Sequence, residues 1–175
     1  MQDVVVLNST YGQIRLKLRP ELSPKVVALV KQLASSGRNC HACKFYRHEP
    51  IPQGWGQGSF YGPPYALLQG SLAGMAEQPP FEGSPAVRTG DACIIPNTRE
   101  FFIATADHTE WGHAHTVWGQ VADAASWLVI HSMPTEPYTN RTDGAITTRW
   151  LTPDVTVPFS ISLEQQLQES KLQPS

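Results

Sequence analysis

The chain has 175 residues, a formal charge of −2, 41% hydrophobic and 16% charged residues, the size of one domain able to bury roughly two-thirds of its unfolded surface in one core. Its near-neutral balance supplies no basic footprint for nucleic acid or an anionic membrane. No run approaches the roughly eighteen apolar residues of a membrane span, so nucleic-acid binding and membrane spanning drop out as expectations.

Residues 4–7 and 13–18 predict two strands; in the second, Ile14, Leu16 and Leu18 alternate with Arg15 and Lys17, and Tyr11-Gly12 supplies the turn of an antiparallel hairpin. The strand-like 4–7 follows the first Met almost at once, so any targeting peptide is expected either to have been removed or never to have existed. Ser23 stands as a cap before Pro24, and Val26, Val27, Leu29, Val30, Leu33 and Ala34 form an apolar stripe. Gly37 sits where a left-handed terminator belongs. Further strands are expected at 44–47, 66–69, 92–95, 101–105, 117–121 and 155–162, and a second helix at 124–132. This pattern predicts a mainly β fold, a closed antiparallel β-barrel of about eight strands capped by two α-helices. The domain is expected over 1–163, followed by a polar tail, 164–175, that forms at best a frayed helix. Phe101, opposite Phe102 on its strand, is expected in the core, as are Trp118 and Trp127.

Glycine and proline gather at 48–65 and again at 78–90. Pro50, Pro52, Pro63 and Pro64 cannot donate ladder hydrogen bonds, so 48–65 reads as an inserted surface loop. Trp55, Phe60, Tyr61 and Tyr65 make it aromatic enough to pack on the barrel. Cys40-His41-Ala42-Cys43 has redox-motif spacing without a surrounding βαβ pattern. A local structural role, as disulfide or free thiols, is the favoured reading, ahead of redox sensing and metal binding. Asn8-Ser9-Thr10 and Asn140-Arg141-Thr142 match glycosylation acceptors and tilt the compartment toward a secretory or organellar lumen. His108, His113 and His115 lie close in sequence, but their spacing and the lack of a carboxylate pattern do not suit zinc.

Six segments occur in one order: Lys44-Phe45-Tyr46-Arg47, Ala66-Leu67-Leu68-Gln69-Gly70, Glu100-Phe101-Phe102-Ile103-Ala104-Thr105, Glu110-Trp111, His115, and Thr116-Val117-Trp118-Gly119-Gln120-Val121. Together they resemble the proline-binding groove of the cyclophilins, which catalyse cis/trans isomerisation of the peptide bond before proline. The likeness runs over residues 4–162. It implies catalytic roles for Arg47, Gln69, Phe102 and His115: Arg47 as donor to the imide nitrogen, Gln69 as anchor of the substrate carbonyl, Phe102 under the proline ring and His115 at the groove floor. It implies substrate contacts from Ala66, Leu67, Glu100, Trp111 and Gly112. No metal and no cofactor are implied; the expected partners are proline-containing peptide or protein clients and a cyclosporin-type inhibitor.

The chain departs from that pattern at several positions. Residues 48–68 intervene between Arg47 and Gln69, where the family has a short strand-turn. Ala66 replaces a phenylalanine of the pocket wall, Glu100 replaces a glutamine, and Gly112 replaces a frequent leucine. The Met-Ala-Asn-like segment is missing from 93–100. Tyr65, Trp55 or Phe60 would serve to rebuild the wall. The leading reading is a peptidyl-prolyl isomerase assisting protein folding, with reduced or altered activity. The alternative is a catalytically weak module that docks proline-containing segments or a partner subunit, and a thiol oxidoreductase using Cys40 and Cys43 stands third.

Overall fold

The computed structural model describes residues 3–36 and 40–164. The chain begins with a hairpin of β1 (Val4–Ser9) and β2 (Gly12–Leu18), paired from Val4 opposite Lys17 to Ser9 opposite Gly12. Helix α1 (Pro24–Ser35) buries Val26, Val27, Leu29, Val30 and Leu33, the apolar face read from the sequence. Ser23 precedes it, but its side chain makes no cap bond. The Ser23 hydroxyl instead donates to the Val117 carbonyl at 2.9 Å. The first-turn N–H groups of Lys25 and Val26 are taken by the two oxygens of Glu82, at 3.0 and 2.9 Å. A carboxylate from a distant loop thus does the work expected of the local serine. Gly37, the expected terminator, lies outside the described residues, as do residues 165–175 of the tail.

Strands β3 (Lys44–Glu49), β4 (Leu67–Ser71), β5 (Asp91–Ile94), β6 (Glu100–Ala104) and β7 (Thr116–Val121) follow, then α2 (Ala124–Ser132), which Asp123 caps by accepting from Ser126 N at 2.8 Å. The sequence missed β8 (Tyr138–Asp143) and β9 (Ile146–Leu151), a separate two-stranded hairpin. Its largely polar run has no alternating apolar face; Arg141 over Trp150 at 4.0 Å and Arg149 over Tyr138 at 4.7 Å brace it instead.

The expected last strand divides into β10 (Val157–Pro158) and β11 (Ser160–Glu164). The main sheet, all antiparallel, has nine strands in the order β10-β3-β4-β6-β5-β7-β2-β1-β11. Its two edge strands are separated along the chain only by Phe159, so one segment pairs with β3 on one side and with β1 on the other. That is how the barrel comes nearly closed, and why an eight-strand expectation meets a nine-strand sheet. Phe159 turns inward and packs with Phe45 (4.7 Å between ring centroids) and Phe101 (6.0 Å), which in turn meets Trp118 at 6.0 Å. Phe101 and Trp118 are fully buried, whereas Trp127 is half-buried against the same core.

Cys40 and Cys43 form a disulfide, Cα atoms 5.2 Å apart, in the turn that leads into β3. Gly70 on β4 permits a close approach: a Cβ there would stand 2.7 Å from the Lys44 carbonyl oxygen and 2.9 Å from the Phe45 ring. No helix among the described residues is long and apolar enough to cross a membrane.

Candidate functional site

The outer face of β3, β4 and β6 carries the candidate site. Phe45 pairs with Gly70 and Arg47 with Gln69, so Tyr46 is the extra residue of a β-bulge. The bulge breaks the strict alternation of β3, and Tyr46 and Arg47 both reach the same side chain. Arg47 Nη1 donates to Gln69 Oε1 at 2.8 Å, and Gln69 Nε2 donates to the Tyr46 hydroxyl at 2.8 Å. Tyr46 donates onward to Glu100 Oε2 at 3.1 Å. Burial, with the Glu100 charge adding to it, raises the Tyr46 phenol above its ordinary value, so it remains a donor.

Gln69 faces Phe102 across the β4–β6 ladder, which completes the row Arg47, Gln69, Phe102 over three adjacent strands. Phe102 is 1% exposed. It packs with Leu67, Cys93, Val117, Tyr65 and Trp111 in a second apolar cluster, apart from the barrel core. The rings of Trp111 and His115 stand against it, with centroids at 5.2 and 5.0 Å. Burial first, and His108 second, lower the proton affinity of His115, and its Nδ1 has no partner among the described residues.

Arg47 is also held from its other side. Its Nε donates to Glu49 Oε2 at 2.5 Å; the Arg47 side chain is 12% exposed and that of Glu49 0%. Glu49 accepts further bonds from Tyr65 N (3.1 Å) and Arg149 N (3.2 Å), which tie the inserted loop and the β8–β9 hairpin to the site. The sequence reading missed Glu49 and Tyr46 and assigned residues 48 and 49 to the loop; both are buried strand residues of β3. An acidic residue two positions from an arginine on a strand was the available signal.

Ala66 is fully buried and contributes its carbonyl, which accepts from His108 Nε2 at 2.9 Å and from Thr105 N at 3.2 Å. Tyr65 brings a ring to the cluster around Phe102, and the Arg47 guanidinium lies 5.8 Å from its centroid. The loop packs through Trp55, whose Nε1 donates to the Asp107 carbonyl at 2.8 Å, and through Tyr61, 2.8 Å from Thr109 Oγ1. Gly112 takes a positive φ of 54°, with nothing within 4 Å of where a Cβ would lie. The three histidines do not converge: His108 is engaged by Ala66 and Glu110, and His113 lies 2.5 Å from the Ser84 carbonyl. Gln69 also lines a neighbouring cavity of about 560 Å³, together with Lys44, Tyr46, Glu100 and Trp150; Arg47, Phe102 and His115 do not line it. Trp150 lies parallel to Tyr46 at 5.0 Å.

No family model and no curated protein matches the sequence. Solved structures do match. A cyclophilin-type peptidyl-prolyl cis-trans isomerase of Cryptosporidium parvum aligns with a TM-score of 0.61 at 16% identity, over 95% of this chain and 99% of that one. The fold is that of the cyclophilins. The Cryptosporidium parvum protein in the presence of the dipeptide Ala-Pro aligns at 0.59 and 16%, over 93% and 99% of the two chains. The cyclophilin AquaCyp293 of Hirschia baltica aligns at 0.51 and 14% identity, over 72% of this chain and 66% of that one. Within the cyclophilin fold of this chain, the polar row and the Phe102 cluster share one outer wall of the barrel.

Proposed function

We propose that this chain is a peptidyl-prolyl cis-trans isomerase that acts slowly on proline-containing client segments. The observation that carries the reading is the row of Arg47, Gln69 and Phe102 on registered neighbouring strands, with His115 in ring contact with Phe102. Rotation about the X-Pro bond crosses a barrier of about 18–20 kcal/mol set by amide resonance. As the amide twists, its nitrogen becomes pyramidal and basic, and a donor aimed at it stabilises the transition state over either ground state. Arg47 spends Nε on Glu49 and Nη1 on Gln69, and Nη2 has no partner among the described residues. That Nη2 is the donor in this mechanism. A charge-assisted bond of this kind contributes about 1.5–3 kcal/mol.

The proline ring would lie on Phe102, beside Leu67 and Tyr65. At 1% exposure Phe102 is closed to a ligand, so binding requires a neighbour to move, and this reading assigns the movement to Trp111, which packs against the ring at 5.2 Å from a short turn. This step, and the neutralisation of Arg47 by Glu49, are the reasons for slow turnover. The same two facts favour a second reading, a module that docks a proline segment with little catalysis. Titration of the ¹⁵N-labelled protein with an Ala-Pro-containing peptide, against its Ala-Ala counterpart, tests both. Proline-dependent shifts at Gln69 and at the Trp111 indole support a proline site, and exchange broadening of the two peptide isomers separates enzyme from module. Equal, negligible shifts with both peptides would refute both readings.

A further inference from the structure

His108 stands just before the short turn Thr109–Trp111, with 0% of its side chain exposed. Its Nε2 lies 2.9 Å from the Ala66 carbonyl oxygen and its Nδ1 lies 2.6 Å from Glu110 Oε1. A backbone carbonyl only accepts, and so does an ionised carboxylate. Both bonds therefore exist together only when the His108–Glu110 pair holds one proton more than a neutral imidazole beside a carboxylate. The His108 ring lies flat on the Trp111 indole, with centroids 3.8 Å apart and planes 4° apart. Trp111 meets the edge of Phe102 at 5.2 Å. Trp55 also meets the His108 ring, at a steep angle and 4.9 Å between centroids. The contacts lead without a gap from one shared proton to the ring on which a proline would sit.

We propose that His108 is a positioning residue: clipped between Ala66 and Glu110, it holds Trp111 over Phe102, and loss of the shared proton opens the pocket. The inference rests on the reading above for what the open pocket takes, but not for the movement of Trp111. Without that proton, two acceptors face each other at Nδ1 and Glu110, and the turn carrying Trp111 loses one of its anchors. The other titratable groups facing His108 are Asp107 and His115. Asp107 is kept ionised by bonds from Thr89 N and Oγ1 at 2.8 and 2.9 Å, which lower its carboxyl below the ordinary range. His115, across Trp111 at 5.0 Å, favours its neutral form through burial. Neither is hydrogen-bonded to His108, whose ring nitrogens meet the Ala66 carbonyl and Glu110, so Glu110 is the partner that decides.

The test replaces tryptophan with 5-fluorotryptophan and follows the ¹⁹F signal of residue 111, assigned by its loss in Trp111→Phe. Solvent exposure is read from the H₂O/D₂O isotope shift between about pH 5 and pH 8. In the parent, residue 111 is expected to pass from protected to exposed as pH rises. Glu110→Gln is expected to stay protected throughout, because its amide donates to a neutral Nδ1 while Nε2–H serves Ala66. Glu110→Ala is expected to be exposed throughout. A pH-independent signal in the parent, or a Glu110→Gln protein titrating like the parent, overturns the proposal. The readout needs no turnover, so its failure is distinct from failure of the isomerase reading.

Discussion

Arg47 and Gln69 are joined at 2.8 Å across the β3–β4 pair that immediately follows the Tyr46 bulge, and Glu49 holds the same guanidinium from behind. The arginine is therefore a structural residue whatever its part in the proposed reaction. Arg47→Ala leaves the fully buried Glu49 carboxylate with only the Tyr65 and Arg149 amides for partners. It is expected to destabilise the fold by about 3–5 kcal/mol. Urea denaturation checks this, and Glu49→Gln in the same background should recover most of the loss by removing the charge.

Glu100 ends the chain of bonds that starts at Glu49, and its carboxylate lines the cavity beside Gln69. Glu100→Gln keeps an acceptor for the Tyr46 hydroxyl while removing a charge that repels peptide carbonyls. Affinity for an uncharged proline peptide is expected to rise by about two- to fivefold, the scale of a half-exposed charge. Isothermal titration would measure it, and unchanged or weaker binding would contradict the role given to Glu100.

Glu82 should matter to α1 more than Ser23 does as a cap. Glu82→Ala removes both acceptors from Lys25 N and Val26 N and is expected to cost about 1–2 kcal/mol. At this chain length each kcal/mol lowers Tm by roughly 2–4 °C. A calorimetric scan showing no change would mean that water replaces the carboxylate at no cost.

Histidines set an acid limit on stability. Burial lowers the proton affinity of His48, whose Nδ1 lies 3.1 Å from the Met133 carbonyl, and of His115. Above the unfolded value of about 6.5 both are neutral in either state, and their contribution is fully present. As pH falls through that value, the unfolded chain takes up protons that the fold resists. Stability should then fall by up to about 1.4 kcal/mol per pH unit for each histidine until the depressed folded values are reached. His48→Gln should flatten part of this fall in urea titrations on either side of about pH 6.5.

Sequence periodicity was informative where one face is buried and the other wet. Ile14, Leu16 and Leu18 in β2 and the stripe of α1 are such cases, and α2 was bounded correctly at 124–132. It failed where other forces shape the chain. The β8–β9 hairpin relies on arginine–aromatic contacts rather than an apolar face, and Glu82 reaches α1 from a loop far along the chain. Motif order singled out Arg47, Gln69, Phe102 and His115; the first three lie in register on β3, β4 and β6, and His115, just before β7, is in ring contact with Phe102. The register shift at Tyr46, the carboxylate of Glu49 and the packing of Trp111 against Phe102 depend on contacts between distant segments. No local pattern encodes those.

The measurement closest to the central claim is the cis/trans exchange rate of an Xaa-Pro peptide, followed by NMR exchange spectroscopy with the parent protein and with Arg47→Lys. Lysine keeps a cation near Glu49 but not the fork that holds Gln69 while presenting a further N–H. Exchange clearly faster than the uncatalysed tens to hundreds of seconds is expected with the parent, and at least about tenfold slower catalysis with Arg47→Lys. A folded parent that leaves the exchange rate unchanged, or an Arg47→Lys protein as fast as the parent, would contradict it.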